Sequence, residues 1–524
     1  MRKTLQFLLV LGGILFFYQA AAQETFQRNG VYDEREGLYA FTNATIYKSF
    51  NQKVENGTLV IKNGKILSVG SGGSIPQGAV VVDLKGKYIY PSFIDAYSTY
   101  GIPEVKRDRS GGGGFGRGIQ FSSKKEGAYS WNQALKPEFR AHEHFTTDEK
   151  AAKGYRNAGF GTVMAHQADG ISRGTGAVVL LGEEREHLMI LKEEASHILS
   201  FKKGTSPQNY PGSLMGGIAL LRQTYLDGKW YASHGKKEMT NISLDAWNEV
   251  VDMPTIFDVR ERLEALRASK IGKEFNKKYI IKGVGDEYQR LDALKATGNS
   301  FIVPVNFPEA FDVADPFDAM RVDLADMKHW ELAPTNLSRL SKAGIEFAVT
   351  VDGLKKKGDL LKNLRKAIEH GLSEEDALKS LTHTPAKMLG VSDKVGSLKT
   401  GHVANFIITS DNIFKEKTKI HHNWVRGKAF VMKPLDEPDF EGVYALKVGN
   451  ESHKLVVDKG GKMKIEVNDS TNINVKHSYS NGNISLSFKP SKDESNVYRL
   501  SGACLLYTSP SPRDATLSRM PSSA

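Results

Sequence analysis

Between residues 38 and 91, apolar and polar residues alternate in short runs, the period of half-buried strands. "TNATIYKSF" and "ENGTLVIKNGKILSVG" carry the pattern first. Asn56-Gly57 and Asn63-Gly64 read as hairpin turns inside it. "GAVVVDLKGKYIY" predicts two more strands, and the chain leaves this unit at Pro91. From residue 146 to 392 the pattern changes: short apolar runs alternate with helical periodicity. "GTVMAH", "KYIIKGVG", "SFIVPVNF" and "IEFAVTVDG" read as strands. "TTDEKAAKGYRNAGF", "TIFDVRERLEALRASK", "EYQRLDALKATG", "TNLSRLSKAG" and the run from 356 to 390 read as helices.

Strand–helix repetition predicts a parallel sheet whose functional face lies at the strand C-termini. The number of units predicts an α/β fold with a (β/α)8 TIM-type barrel over residues 93–393. Residues 394–432 return to β pattern and are expected to pair with 38–92 as one composite β-sandwich, into which the barrel is inserted. Residues 438–503 predict a small all-β domain, an antiparallel barrel or sandwich with Asn-, Asp- and Gly-rich turns.

Composition alters the picture mainly at the two ends. The 524 residues are 40% hydrophobic and 25% charged, as in ordinary globular chains. The net charge of +11 is spread thinly, with lysines beside acids, so it predicts a solvated surface and no nucleic-acid partner. Residues 1–22 have a basic start, a short apolar core and Ala20-Ala21-Ala22, the form of a signal peptide. This predicts a periplasmic or secreted protein with no other membrane attachment. Cys504 is the single cysteine, so no internal disulfide is expected. It opens the stretch 504–524, which resembles the in-frame translation of a sequencing-library adapter. On that reading the natural frame continues beyond Ala503. The glycine cluster at 110–118 lacks a strand–helix setting and reads as a mobile loop, not a phosphate cradle.

Candidate chemistry gathers at the predicted strand ends. "PSFIDAYSTYG" opens the barrel, and Asp352 ends "VTVD". Three longer segments carry a resemblance: "ENGTLVIKNGKILSVG" through "YPSFIDAY", "GIEFAVTVDG", and "GLSEEDALKSLTHTPAKMLGVSDKVGSLKTGHVANFIITSD" followed by "NWVRGK". Across residues 38–432 the chain resembles the amidohydrolase superfamily, in particular imidazolonepropionase-like secreted bacterial members. The resemblance implies hydrolysis of non-peptide carbon–nitrogen bonds with zinc or another divalent ion. It also implies a His-x-His pair after the first strand, two later histidines and a final aspartate.

The residues present depart from that set. Tyr97 and Thr99 stand where the histidine pair is expected. Lys282 and Asn306 stand at the ends of strands where histidines are expected. Only Asp352 matches, either as a vestige of catalysis or as a turn cap. One carboxylate is too few for a catalytic zinc, which usually takes three protein ligands. No cofactor is therefore expected here. His166, at a strand end, serves either a ligand or a backbone group. With Arg173, Lys282 and Asn306 it is expected to line a pocket for a small molecule. His142 and His144 form a His-x-His away from any strand end, His383 packs in the closing helix, and His421 and His422 read as surface residues.

Two functions follow as expectations. One is a hydrolase-family protein whose metal site is degenerate in this segment. The other is a non-catalytic ligand-binding or scaffold half of a two-barrel protein. The downstream half would be a second amidohydrolase barrel with an intact His-x-His.

Overall fold

The computed structural model describes residues 37–106, 120–435, 440–448, 451–458, 461–468, 471–480, 483–489 and 497–503. The expected signal peptide, the glycine cluster and the stretch 504–524 lie outside the described residues.

Five strands open the chain: β1 (Leu38–Ser49), β2 (Gln52–Lys62), β3 (Lys65–Ser71), β4 (Val80–Asp83) and β5 (Tyr88–Pro91). They share one sheet with β14 (Phe406–Thr409), β15 (Ile420–Val425) and β16 (Lys428–Val431), in the order β16-β15-β14-β5-β1-β2-β3, with β4 on β1. Phe41, Phe406 and Trp424 form its aromatic centre, with neighbouring rings 5.0–5.4 Å apart. Asn63 and Gly64 both take positive φ and turn β2 into β3, as the type I′ pattern requires. Asn56-Gly57 is not a turn. It lies inside β2, where Asn56 has φ 47 and the register against β1 slips between Ala44 and Ile46. The same dipeptide here makes a bulge, and a side chain at Gly57 would meet Ile46 at 2.8 Å.

The central sheet comprises β6 (Phe93–Ser98), β7 (Phe160–Ala165), β8 (Ser172–Leu180), β9 (Ile190–Ser200), β10 (Thr255–Asp258), β11 (Tyr279–Lys282), β12 (Ser300–Pro304) and β13 (Phe347–Thr350). Seven strands run in one direction. β8 is antiparallel to both neighbours, so the sheet is not the uniformly parallel one expected from the pattern. A second correction concerns "TIFD", which is strand β10; the helix begins only at Arg262. Its β-branched and aromatic residues are fully enclosed between β9 and β11, and tertiary pairing decides their state.

Every strand sends at least one apolar side chain into an inner cluster, among them Ile94, Met164, Val178, Ile198, Ile256, Ile280, Ile302 and Ala348. The alternate residues, such as Phe257, Ile281, Phe301 and Val349, face the outer layer with the helices. At the sheet's two edges, Thr350 Oγ1 donates to Tyr97 O at 3.2 Å, and Val351 N donates to Asp95 at 3.2 Å. Buried Asn423 fastens this layer to the first sheet. It accepts from Ser92 Oγ at 2.8 Å and donates to Phe160 O at 2.8 Å.

The last unit is one antiparallel meander: β17 (Gly442–Val448), β18 (Glu451–Val457), β19 (Met463–Asn468), β20 (Thr471–Ser480), β21 (Asn483–Phe488) and β22 (Tyr498–Ala503). Leu446, Leu455, Ile465, Val475, Leu486 and Phe488 build a single buried cluster.

The inner cluster predicts the cost of a cavity. Ile302→Ala should destabilise the chain by about 2–5 kcal/mol in denaturant unfolding. A loss of under about 1 kcal/mol would mean that the strands do not enclose a packed interior.

Candidate functional site

The parallel strands end at one mouth, and β8, running oppositely, begins there. That reversal delivers Arg173, its second residue, among side chains from strand ends. Arg173 is 2% exposed and donates from all three of its nitrogens. Nη1 reaches Tyr97 Oη at 3.1 Å, Nη2 reaches Asp258 Oδ2 at 3.1 Å, and Nε reaches Gly170 O at 3.0 Å. Gly174 makes the bend possible: it has φ 71, and a Cβ there would lie 2.0 Å from Phe139 O. Asp258 is the last residue of β10, and in the sequence it is hidden because "TIFD" runs without a break into a helical pattern. A run of Thr, Ile and Phe ending in an acid was the available signal. Burial alone would raise the Asp258 carboxyl, but Arg173, Lys282 and Lys202 outweigh it and hold the pKa below the usual range.

Lys282, the last residue of β11, pairs with Asp352 at 2.5 Å. Its ammonium also lies 5.1 Å from the centre of the Tyr97 ring. Tyr97 is thus held through its hydroxyl by Arg173, with Lys282 near its ring. Burial pushes its phenol pKa up, reinforced by Asp258. Thr99, the second substituted position, is exposed in the turn after β6 and takes no part. Asn306 is also exposed, and its side chain lies against Gly353, beside Asp352.

His166 follows β7 and is fully buried, its ring 4.3 Å from that of Tyr97. Nδ1 lies 2.9 Å from Gln167 O, which accepts only, so Nδ1 carries the proton. Burial, with Arg173 nearby, lowers the pKa to about 4 and keeps the ring neutral. Nε2 then presents a buried lone pair with no partner.

Asp95 is fully buried and accepts from Tyr97 N at 3.0 Å as well as from Val351 N. Burial raises its pKa to about 7. The charges at the mouth therefore balance: Arg173 and Lys282 against Asp258 and Asp352, with His166 neutral.

The remaining histidines lie elsewhere. His383 lies tilted beside Phe50 at 5.2 Å, and His144 lies flat against Phe139 at 4.7 Å. His142 is on the same short helix, Ala141–His144, with its Nδ1 buried. His421 is not a surface residue: it is 5% exposed, and its Nδ1 lies 2.7 Å from Pro434 O. His422 is part-buried, and burial beside His421 lowers its pKa to about 4.

Among the described residues, no three His, Cys, Asp or Glu side chains converge as a metal-binding group. The mouth does not fit the divalent ion that the resemblance implies. Its two carboxylates already face a guanidinium and an ammonium. A further dication would be repelled by both, and only His166 Nε2 offers a free neutral donor.

Asp95 generates a pH prediction. Its folded pKa is raised above the ordinary carboxylate value, so the folded state binds the proton more tightly than the unfolded chain. Its stabilising contribution is full below about pH 4 and is lost as pH rises through about 7. The melting temperature should fall between about pH 5 and pH 8 by more in the wild type than in Asp95→Asn. Equal falls in both would contradict the assignment.

Comparison with known proteins gives the site its family setting. The amidohydrolase family model matches residues 334–430, the segment that contains Asp352 and the closing helices. Adenine deaminase 2 of Jannaschia sp. (strain CCS1) is 26% identical over 212 residues, 37% of this chain and 32% of that protein. The chain thus matches about a third of the length of this curated relative. The amidohydrolase from Thermotoga maritima MSB8 superposes with a TM-score of 0.58 at 24% identity, covering 75% of this chain and all of that one. That likeness concerns the fold. The closing segment thus matches the amidohydrolase family model, and the fold around it is shared with a solved amidohydrolase.

Proposed function

We propose that this segment is a non-hydrolysing barrel of an amidohydrolase-type protein, binding a small polar molecule at its mouth without a divalent ion. One observation carries the reading: Asp258 and Asp352, the acids at the strand ends, are each taken by an internal cation. The (β/α)8-type closure, with β6 beside β13, is part of the same proposal, since the cluster around Tyr97 draws on both edges. The match to the amidohydrolase family model and to a relative named as an adenine deaminase supports C–N bond cleavage as the chemistry of the whole protein. In this segment, the residues support holding and orienting. His166 Nε2 offers an acceptor in a dry setting, and Lys282 and Asn306 offer donors nearer the rim. We further propose export, on the form of residues 1–22, and a second amidohydrolase barrel as the partner that turns substrate over.

Metal analysis tests this directly. The purified chain, dialysed against zinc and then buffer, should retain well under about 0.1 zinc per molecule, because its donor set falls short of three ligands. Near-stoichiometric zinc that disappears in Asp352→Ala would overturn the proposal.

A further inference from the structure

After β12 the chain makes an arm, residues 309–331, in which every residue is exposed or half-buried. Its two helices, Pro316–Ala319 and Leu324–Leu332, bury no side chain. The arm is nevertheless rich in large apolar residues. Phe317, Met320 and Leu324 are 73%, 74% and 72% exposed, and Phe311, Val313 and Met327 are exposed on either side of them. Both ends of the arm are tied to the body. Glu309 accepts from Lys355 Nζ at 2.9 Å, and His329 Nδ1 lies 3.1 Å from Tyr288 Oη. Single exposed apolar residues are ordinary on a surface, whereas a run of six on one held segment marks a docking surface. We infer that this arm docks on the outer face of helix Leu214–Ser233 of a second copy of this chain. The inference does not rest on the reading of the mouth.

Charge selects the partner. The arm holds seven acids against Arg321 and Lys328, a net charge of −5 in a chain of net +11, which leaves +16 for the rest. Among the described residues, Asp312, Asp315, Asp323 and Asp326 have no cation within ion-pair distance. Two arms face to face would repel each other, so the contact is with a different, basic surface.

Helix Leu214–Ser233 supplies such a surface. Met215, Leu226 and Trp230 are exposed on it. Their spacings of 11 and 4 residues put them on one helical face. Met239, beyond the helix, is exposed as well. Arg222 and Lys236 are already paired, with Glu274 and Asp245. Lys229 and Lys237 are exposed and, among the described residues, have no acid within ion-pair distance. The two surfaces are thus both apolar and carry unspent charges of opposite sign, the makings of an apolar interface core with a charged rim. The 23 residues of the arm match the scale of one side of a stable interface, about 20–30 residues. An arm on a helix is a contact between unlike patches, so each copy offers both halves of it.

Sedimentation of the full chain tests this, in reducing buffer so that Cys504 cannot link two copies. The chain should associate into two or more copies with a Kd below about 10 μM. Asp323→Lys with Asp326→Lys, and separately Lys229→Glu with Lys237→Glu, should each raise the Kd at least about tenfold, because each sets like charges across the contact. All four positions are exposed, so the melting temperatures should stay close to that of the wild type. Mixing the two variants should restore association, since the basic arm then meets an acidic helix and the acidic arm a basic one. A monomer at up to about 100 μM, unchanged association in either variant, or a mixture no tighter than its separate components would overturn the inference.

Discussion

A guanidinium enclosed in protein cannot shed its proton, so everything around Arg173 must accommodate a permanent charge. Removing such a charge from water costs several kcal/mol unless its hydrogen bonds and a counter-ion replace the solvent. The chain meets this with three acceptors from three places: Gly170 O before β8, Tyr97 Oη from β6 and Asp258 from β10. The reversal of β8 is what allows it, because a strand running with the others would begin at the opposite end of the sheet. Tyr97 is then fixed, and Lys282 and His166 pack around its ring.

The same cluster links the mouth to the fold. Tyr97 O accepts from Thr350, and Asp95 accepts from Val351, so the two edge strands meet at the residues that line the site. Behind them the ring of Ile94, Ile198, Ile256 and Ile302 fills the interior, and Asn423 fastens the strands to the first sheet. An architecture assembled this way does not depend on the side chains at the strand ends for its packing, because packing and ligation draw on different residues.

Much of this was legible in the chain because it rests on residue type. Tyrosine and threonine are poor divalent-metal ligands wherever they stand, so the departure of Tyr97 and Thr99 from the expected histidine pair can be read from residue type alone. The alternating strands of the first and last units followed from period-two patterns, and Asn63-Gly64 turned as expected. What escaped depended on partners distant in sequence. "TIFD" runs without a break into a helical pattern, and only its neighbours β9 and β11 make it a strand, hiding Asp258. Asn56-Gly57 has the dipeptide of a turn, yet β1 continues beside it and makes it a bulge. His421 looks like a polar residue on an outer strand, but the segment reaching Pro434 covers it. The direction of β8 has no local signature at all.

The central claim is that internal cations have taken the place of a metal at the strand ends, and its firmest element is the buried pair of Arg173 and Asp258. A double-mutant cycle measures that pair directly, using denaturant unfolding of the wild type, Arg173→Leu, Asp258→Asn and the combined variant. The account predicts a coupling of about 2–5 kcal/mol, with the double variant more stable than Arg173→Leu alone, because the second change removes an uncompensated buried charge. A coupling under about 0.5 kcal/mol, the level of an exposed ion pair, would contradict it.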